Sequence, residues 1–215
     1  MKKNILILSL VAIELLVVSF ILFKKVPITV IKNELAEQPV GEITQDIKIS
    51  QTVRHSKFNF DTMEIKFATY NRENSTNIHM VLYMNNKKMK ETLLDSSKIN
   101  DNEFYTFNLP NILLNENDVM RIDLYSDDAT PGDALTLWTS NGDALDGELS
   151  KNGEVMNGDL NVKFGREGYK FEQLVYMLNR LPVSIFISIP LIVILIVSLN
   201  LLIIQLVRKV KLLGS

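Results

Sequence analysis

The side chains most often used in catalysis are few in this chain, and they form no recognisable catalytic motif. Its two histidines, His55 and His79, are 24 positions apart, and neither lies beside a motif for a catalytic triad or a zinc site. The absence of cysteine excludes thiol nucleophiles, thiolate metal sites and disulfides. Its many carboxylates would supply pairs about 5–9 Å apart, as glycosidases use, but a solvated acidic surface explains the same residues. The sequence therefore predicts a protein that is not an enzyme.

Aspartate-rich turns raise one metal-binding alternative. Asp123, Asp127, Asp128 and Asp133 follow one another closely, and Ca²⁺ prefers such oxygen-rich loops. Their spacing does not match an EF-hand, and aspartate is also a common turn residue in its own right. A calcium site and ordinary turn formation both stay open, and no other cofactor is predicted.

Sugar binding would use aromatic rings with polar groups beside them. The candidate glycan-contact residues are Trp138, Tyr70 and Tyr125. If Leu135 and Leu137 face the core, Trp138 points to the opposite face of its strand. In the reverse register Trp138 is a core residue, which is the usual position of large aromatic side chains.

The charge of the chain is distributed unevenly. Residues 41–165 contain 12 Lys and Arg against 20 Asp and Glu, although the net charge of the whole chain is only −2. An acidic domain is a poor partner for nucleic acid, because phosphate binding needs a basic surface. Anionic lipid headgroups would also repel it.

The elements that must position these residues are short strands. Apolar and polar residues alternate at period two in several runs, which are separated by turns rich in Asn, Asp and Gly. The predicted strands are residues 47–50, 63–67, 77–84, 88–94, 103–109, 119–126, 134–140 and 159–164. Strands at this spacing, with no long helical period between them, predict an all-β extracytoplasmic domain, a jelly-roll or β-sandwich, over residues 46–165.

Two long apolar runs flank this domain. Residues 4–23 and 183–207 are each long enough, at about 1.5 Å per residue, to cross a bilayer core of about 30 Å. A cleaved signal peptide is the alternative for the first run, but the run is long and no A-x-A cleavage site follows it. The expected organisation is an N-terminal transmembrane helix (1–25), a linker (26–45), the β-domain (46–165), a juxtamembrane amphipathic helix (166–182), a C-terminal transmembrane helix (183–207) and a basic cytoplasmic tail (208–215).

The location expected from these segments is the cytoplasmic (inner) membrane. Basic residues flank both sides of both runs, so counting positive charges does not decide the orientation. Long domains are exported largely regardless of charge, and the basic head before the first run is typical of an export signal. We therefore expect both termini in the cytoplasm and the β-domain outside it.

One charged residue lies inside the first apolar run. A carboxylate such as Glu14 costs about 2.5–3.5 kcal/mol at the centre of a bilayer, so it should face protein rather than lipid. Ser198 or Asn200 of the second run is a candidate partner within the chain. The alternative is that Glu14 contacts another membrane protein.

Four short motifs, taken together, resemble a known type of module. They are residues 65–72 (IKFATYNR), 101–107 (DNEFYTF), 132–138 (GDALTLW) and 158–160 (GDL). The sequence resembles a β-sandwich module of jelly-roll, carbohydrate-binding-like architecture found in bacterial membrane proteins. Those proteins are associated with cell-surface polysaccharide synthesis and membrane glycosyltransferases. The resemblance implies an extracytoplasmic module and brings no binding residues with it.

These observations lead to two functional hypotheses. The first is a non-enzymatic accessory membrane protein of cell-envelope polysaccharide assembly, whose outer domain binds glycan or a partner such as a membrane glycosyltransferase or flippase. The second is a self-associating membrane scaffold or polysaccharide chain-length regulator, which also has one span at each end of the chain. An envelope hydrolase would need catalytic residues that the sequence does not show.

Overall fold

The computed structural model describes residues 12–14, 16–35 and 38–179, together with residues 194, 197, 198 and 205. The chain divides into two compact units. One unit is Pro27–Glu167, and the other combines Met1–Val26 with Gly168–Ser215.

The described residues form thirteen strands, one short 3₁₀ turn and helical segments near both ends of the chain. The strands are β1 (Lys25–Lys32), β2 (Gln38–Glu42), β3 (Lys48–Val53), β4 (Phe58–Ala68), β5 (Asn77–Met84), β6 (Lys87–Asp95), β7 (Phe104–Leu114), β8 (Met120–Tyr125), β9 (Thr136–Ser140), β10 (Leu149–Lys151), β11 (Glu154–Met156), β12 (Asp159–Leu160) and β13 (Val162–Tyr169). A short 3₁₀ turn spans Ser96–Lys98, and the helix α1 spans Lys170–Asn179. Residues 16–22 are also helical.

The strands form two sheets around one hydrophobic core. The first sheet has the order β1-β13-β4-β9-β12, with β2 paired to β9 and β7 paired to β4. The second has the order β11-β10-β3-β8-β5-β6. Side chains from both sheets, such as Phe60 and Phe164 of the first and Ile49 and Leu124 of the second, belong to the same buried cluster. This arrangement is a β-sandwich, so the predicted fold is confirmed at that level.

The prediction of a linker over residues 26–45 is wrong where the structure has strands. Residues 25–32 and 38–42 form β1 and β2, and Ile31 and Val40 contribute to the core. Pro27 and Pro39 suggested irregular chain, but proline is tolerated in edge strands, where its missing N–H breaks no ladder. β1 lies at the edge of its sheet, and β2 pairs with β9 alone.

The C-terminal end of the β-domain also differs from the prediction. The single strand expected over residues 159–164 is two strands, because the chain moves at Asn161 from pairing with β9 to pairing with β4. β13 then continues past residue 165, and the helix expected from residue 166 begins at Lys170. The hairpin of β10 and β11 was not predicted at all.

The second unit contains helical residues with apolar side chains at their surface. Leu16 is 70% exposed and Phe20 is 80% exposed. The rings of Phe23, Tyr169 and Phe171 form a cluster with centroids 5.7–6.1 Å apart. In the part of the chain that the structure describes, no helix is both long and apolar enough to cross a bilayer. The predicted spans, residues 4–23 and 183–207, lie largely outside the described residues.

Candidate functional site

A strained turn follows β4. The backbone N–H of Arg72 donates to the carbonyl of Thr69 at 3.2 Å, which closes a four-residue turn. Both central residues, Tyr70 and Asn71, have φ of 56°, the left-handed conformation of a type I′ turn. Asparagine adopts this conformation readily, whereas a bulky residue such as Tyr70 does so rarely and at a cost of about 1–3 kcal/mol. The surrounding structure must therefore hold Tyr70 in place.

The carboxylate of Asp101 holds this turn. Its Oδ1 accepts hydrogen bonds from the backbone N–H of Thr69 at 2.6 Å, the N–H of Tyr70 at 2.8 Å and the hydroxyl of Thr69 at 3.1 Å. Burial raises the pKa of Asp101, but these hydrogen bonds outweigh burial and bring the pKa below its ordinary value. Asp101 is thus an ionised clamp on the backbone that presents Tyr70, whose side chain is 46% exposed.

Trp138 lies next to this clamp on β9. Leu135 and Leu137 are fully buried, whereas Trp138 is half-buried. Its Nε1–H donates to Oδ1 of Asn102 at 2.8 Å, and Nδ2 of Asn102 in turn donates to Oδ2 of Asp101 at 2.7 Å. A continuous chain of hydrogen bonds therefore joins Tyr70 to Trp138.

Two cations flank the aromatic rings. Lys66 Nζ lies 5.9 Å from the centroid of the Trp138 ring, and the Arg72 guanidinium lies 5.2 Å from that of Tyr70. Arg72 is fixed by an ion pair with Glu42 and by hydrogen bonds to the carbonyls of Thr69 at 3.1 Å and Ala134 at 3.0 Å. The Arg72 contact also lowers the pKa of Glu42. We call Tyr70, Trp138, Asp101, Asn102, Lys66 and Arg72 the Tyr70–Trp138 surface.

The third predicted glycan-contact residue, Tyr125, lies elsewhere, on β8 of the second sheet. Its ring stacks on His79 with centroids 4.8 Å apart and planes 3° from parallel. Both ring nitrogens of His79 contact carboxylates: Nδ1 lies 3.1 Å from Glu91 and Nε2 lies 3.0 Å from Asp127. Burial raises the pKa of the Tyr125 hydroxyl. We call Tyr125, His79, Glu91 and Asp127 the Tyr125 face.

The four aspartates predicted to bind calcium have separate protein partners. Asp123 lies between Lys48 and Arg121, and Asp127 contacts His79. Asp128 accepts from Asn77 and Ser126, and Asp133 accepts from Ser75. The described residues contain no group of three histidine or acidic side chains that could hold a metal ion. The calcium site stays a prediction, and calorimetric melting with and without Ca²⁺ tests it.

Asp159 is the buried carboxylate that most resembles a catalytic acid by environment. Burial raises its pKa, although the N–H of Leu145 at 2.9 Å and the Gln51 amide at 2.8 Å donate to it. The preceding residue, Gly158, has φ of 83°, and a Cβ there would lie 1.7 Å from the Ser140 carbonyl. Asp159 therefore sits in a closely packed polar network that fixes the chain, and we assign it a structural role.

His55 does not form a catalytic triad with described residues. The hydroxyl of Ser56 lies 3.0 Å from its Nδ1, but no carboxylate of the described chain contacts the ring. The ring packs edge-on against Phe58 with centroids 5.7 Å apart. The pair lacks the third group that orients the base in such triads.

The residues proposed for contacts within the membrane are only partly described. Glu14 is helical and half-buried, whereas Asn200 lies outside the described residues. The contact predicted for this pair stays a prediction.

Sequence reasoning predicted two rings of the Tyr70–Trp138 surface but not the groups that join them. Asp101 and Asn102 appeared within a motif that was compared with the carbohydrate-binding-like module, and Arg72 appeared in another. A side chain that bonds to backbone 32 residues away leaves no local signal. A hint was the Asp101-Asn102 pair shortly before β7, a combination typical of turns whose side chains bond to backbone.

No protein-family model matches the chain, and no curated protein matches it. Among solved structures, a family 35 carbohydrate binding module from an environmental isolate matches with a TM-score of 0.30 and 16% identity, over 60% of this chain and 87% of that one. Because a TM-score of 0.30 is too low to establish a shared fold, the β-sandwich assignment rests on the two sheets themselves.

Proposed function

We propose that this chain is a non-catalytic glycan-binding protein of the cell envelope, and that the Tyr70–Trp138 surface is its binding site. The observation that carries the proposal is the hydrogen-bonded chain from Tyr70 through Asp101 and Asn102 to Trp138. These bonds reach the backbone of Tyr70 and the edge of the Trp138 ring, so they use no ring face. Arg72 and Lys66 each lie over one face of these rings, and stacking on sugar would use the opposite face.

The strained backbone at Tyr70 supports the same assignment. Left-handed non-glycine residues persist where the surrounding structure enforces them, and they cluster at ligand-binding positions. Three such residues, Tyr70, Asn71 and Asn102, lie around this one surface. The ammonium of Lys66 adds a hydrogen-bond donor beside the Trp138 ring, and sugar hydroxyls need such polar groups as partners.

The proposal places the sandwich, of jelly-roll type, outside the cytoplasmic membrane, with the apolar terminal segments as anchors. The length and apolar character of residues 4–23 and 183–207 support this location. Leu16 and Phe20 support it as well, because side chains so apolar and so exposed are better accommodated in lipid than in water. A role in polysaccharide assembly, beside a glycosyltransferase or flippase, follows from this location.

The experiment is a binding screen of the full chain against immobilised bacterial polysaccharides, in a detergent without a sugar headgroup. We expect at least one polysaccharide to bind, and we expect Trp138→Ala to weaken that binding about thirtyfold, or about 2 kcal/mol. Tyr125→Ala is the matched control, since it removes an aromatic ring from the other sheet, and it should bind like the wild type.

Two outcomes would reject the proposed site. Wild-type affinity in a folded Trp138→Ala variant would show that the glycan binds elsewhere. Equal losses in Trp138→Ala and Tyr125→Ala would show that general destabilisation, rather than a contact, explains the effect. Near-ultraviolet circular dichroism and melting temperature establish that each variant is folded.

A further inference from the structure

A polar cleft of about 380 Å³ lies at one end of the second sheet. The end of β3, the start of β8 and the turn between β5 and β6 meet there, since Met120 pairs with both Val53 and Met84. The residues that line the cleft are Thr52, Arg54, Asn85, Asn86, Val119 and Arg121. Two of them carry positive charge and none carries negative charge, within a domain whose net charge is strongly negative.

Arg121 is held in a fixed position in this cleft. Its Nε lies 3.1 Å from Oδ1 of Asp123, a carboxylate that is only 1% exposed and that also contacts Lys48 Nζ at 2.7 Å. Its Nη1 donates to Oδ1 of Asn86 at 3.3 Å, and its guanidinium lies 4.3 Å from the centroid of the Tyr83 ring. Among the described residues, Nη2 has no acceptor. The guanidinium is therefore preorganised and still has hydrogen-bond donors available.

The turn between β5 and β6 presents a second donor. Asn85 and Asn86 have φ of 50° and 65°, as in a type I′ hairpin turn. Both polar atoms of the Asn85 side chain are used: Oδ1 accepts from the N–H of Val119 at 2.9 Å, and Nδ2 donates to Asp118 at 2.8 Å. Asn86 uses its Oδ1 for Arg121, so its amide NH₂ has no acceptor within the described chain.

Arg54 supplies the third set of donors. It follows β3 directly, its backbone N–H donates to the carbonyl of Leu145 at 3.0 Å, and its side chain is exposed. No described carboxylate pairs with its guanidinium. The nearby carboxylate Asp118 is instead held by the amides of Asn85 and Asn115. Two guanidinium groups and one amide thus line the same cleft with unused N–H groups.

We propose that this cleft binds an oxyanion, a carboxylate or phosphate group, carried by an anionic polysaccharide. Guanidinium groups match both oxyanions in geometry and charge, because two parallel N–H donors can bond to two oxygens. The position of Arg121 is set by Asp123, Asn86 and Tyr83 before the ligand arrives, which reduces the entropy lost on binding. The oxyanion site stands on its own geometry, whereas the polysaccharide as its source rests on the proposed function.

The experiment measures binding of three probes to the full chain in a detergent without a sugar headgroup. The probes are polygalacturonate, inorganic phosphate and neutral dextran, each at two salt concentrations. We expect polygalacturonate to bind, with an affinity that falls as salt rises. Arg54→Gln should weaken this binding about tenfold, the loss of one charge-assisted contact. Arg54 is exposed, so this variant should fold normally.

Lys98→Gln is the matched control. It also removes one exposed positive charge, but it lies in the 3₁₀ turn after β6, at the opposite end of the β5–β6 hairpin from the cleft. It should bind polygalacturonate like the wild type. An equal loss in Arg54→Gln and Lys98→Gln would overturn the proposal, because the effect would then come from net charge alone.

The remaining outcomes separate this inference from the proposed function. A third outcome is that phosphate binds, that Arg54→Gln abolishes this binding, and that polygalacturonate binds no more tightly than phosphate does. This outcome supports the oxyanion site and assigns it to a free anion. Polygalacturonate binding that is lost in Trp138→Ala but unchanged in Arg54→Gln overturns the inference and leaves the proposed function intact. No binding of either anion by the wild type also overturns the inference.

Discussion

The Tyr70–Trp138 surface and the Tyr125 face contain similar side chains, but their carboxylates bond to different groups. Each combines aromatic rings with carboxylates. At the Tyr70–Trp138 surface, the carboxylate of Asp101 bonds to backbone N–H groups and so fixes the chain behind the rings. At the Tyr125 face, the carboxylates of Glu91 and Asp127 bond to His79, whose ring covers Tyr125.

This difference shows why composition alone does not identify a sugar-binding surface. A ring can stack on a sugar only if one of its faces is open to the ligand. One face of Tyr125 already stacks on His79, with nearly parallel planes. Trp138 bonds through the edge of its ring, at Nε1, and one of its faces has the Lys66 ammonium 5.9 Å from the ring centroid instead of a stacked ring. The groups that fix a ring, and the part of the ring they contact, therefore decide its function.

The largest expected effect comes from removing the clamp. Asp101→Ala leaves the N–H groups of Thr69 and Tyr70 without their acceptor, and it should lower the free energy of unfolding by about 2 kcal/mol. Glycan binding should be lost with it, because Tyr70 is no longer held. Chemical denaturation and the polysaccharide binding assay measure the two effects. Asp127→Ala, which removes a 72% exposed carboxylate from the Tyr125 face, is the control and should shift the melting temperature by less than about 2 °C.

The same clamp predicts a pH dependence. Because the folded-state pKa of Asp101 is lowered, its contribution to stability is fully present above the ordinary aspartate pKa of about 3.9. This contribution is lost as pH falls through the lowered pKa. Wild-type protein should therefore lose more stability below about pH 4 than Asp101→Ala does, as measured by denaturation at a series of pH values. Parallel pH profiles of the two proteins would contradict the assignment of Asp101 as an ionised clamp.

Replacing Tyr70 should have a smaller effect, which weakens glycan binding without lowering stability. Asparagine tolerates the left-handed conformation better than tyrosine, so Tyr70→Asn should keep or raise the melting temperature while removing the ring. Binding of the polysaccharide should fall about tenfold, which corresponds to about 1.4 kcal/mol. Tyr70→Phe keeps the ring and should bind nearly as well as the wild type. If Tyr70→Asn binds normally, the ring of Tyr70 has no role in glycan recognition.

The comparison also shows how far the sequence determines the fold. Alternation of apolar and polar residues predicts strands such as β5, whose observed bounds, Asn77–Met84, match the prediction. The same rule misses β1 and β2, because proline within a short run indicates a linker and an edge strand equally well. The hairpin of β10 and β11 has a local signal in the sequence: Asn152-Gly153, with φ of 51° and 84°, is a typical type I′ turn sequence.

The candidate site was less predictable than the fold. Solvent-facing aromatic residues can be proposed from a strand pattern, as Trp138 is, whereas Tyr70 follows the predicted strand 63–67 and is a candidate only as an aromatic residue. Which of them share a surface depends on contacts such as that of Asn102 with Trp138, 36 residues apart in the chain. Alternation assigns side chains to one face of a strand, but it does not say which neighbour covers a ring. For that reason Tyr125 looked equivalent to the other two in the sequence.

The smallest effect is expected at the Tyr125 face. His79→Phe keeps a ring against Tyr125 and removes both contacts with carboxylates. Polar contacts near the surface contribute little because water replaces them when they are broken, so the melting temperature should change by less than about 2 °C. Polysaccharide binding should not change. A large loss of binding in this variant would place the Tyr125 face in the glycan site. It would also show that a ring stacked on another ring can take part in recognition, and the contrast between the two regions would no longer hold.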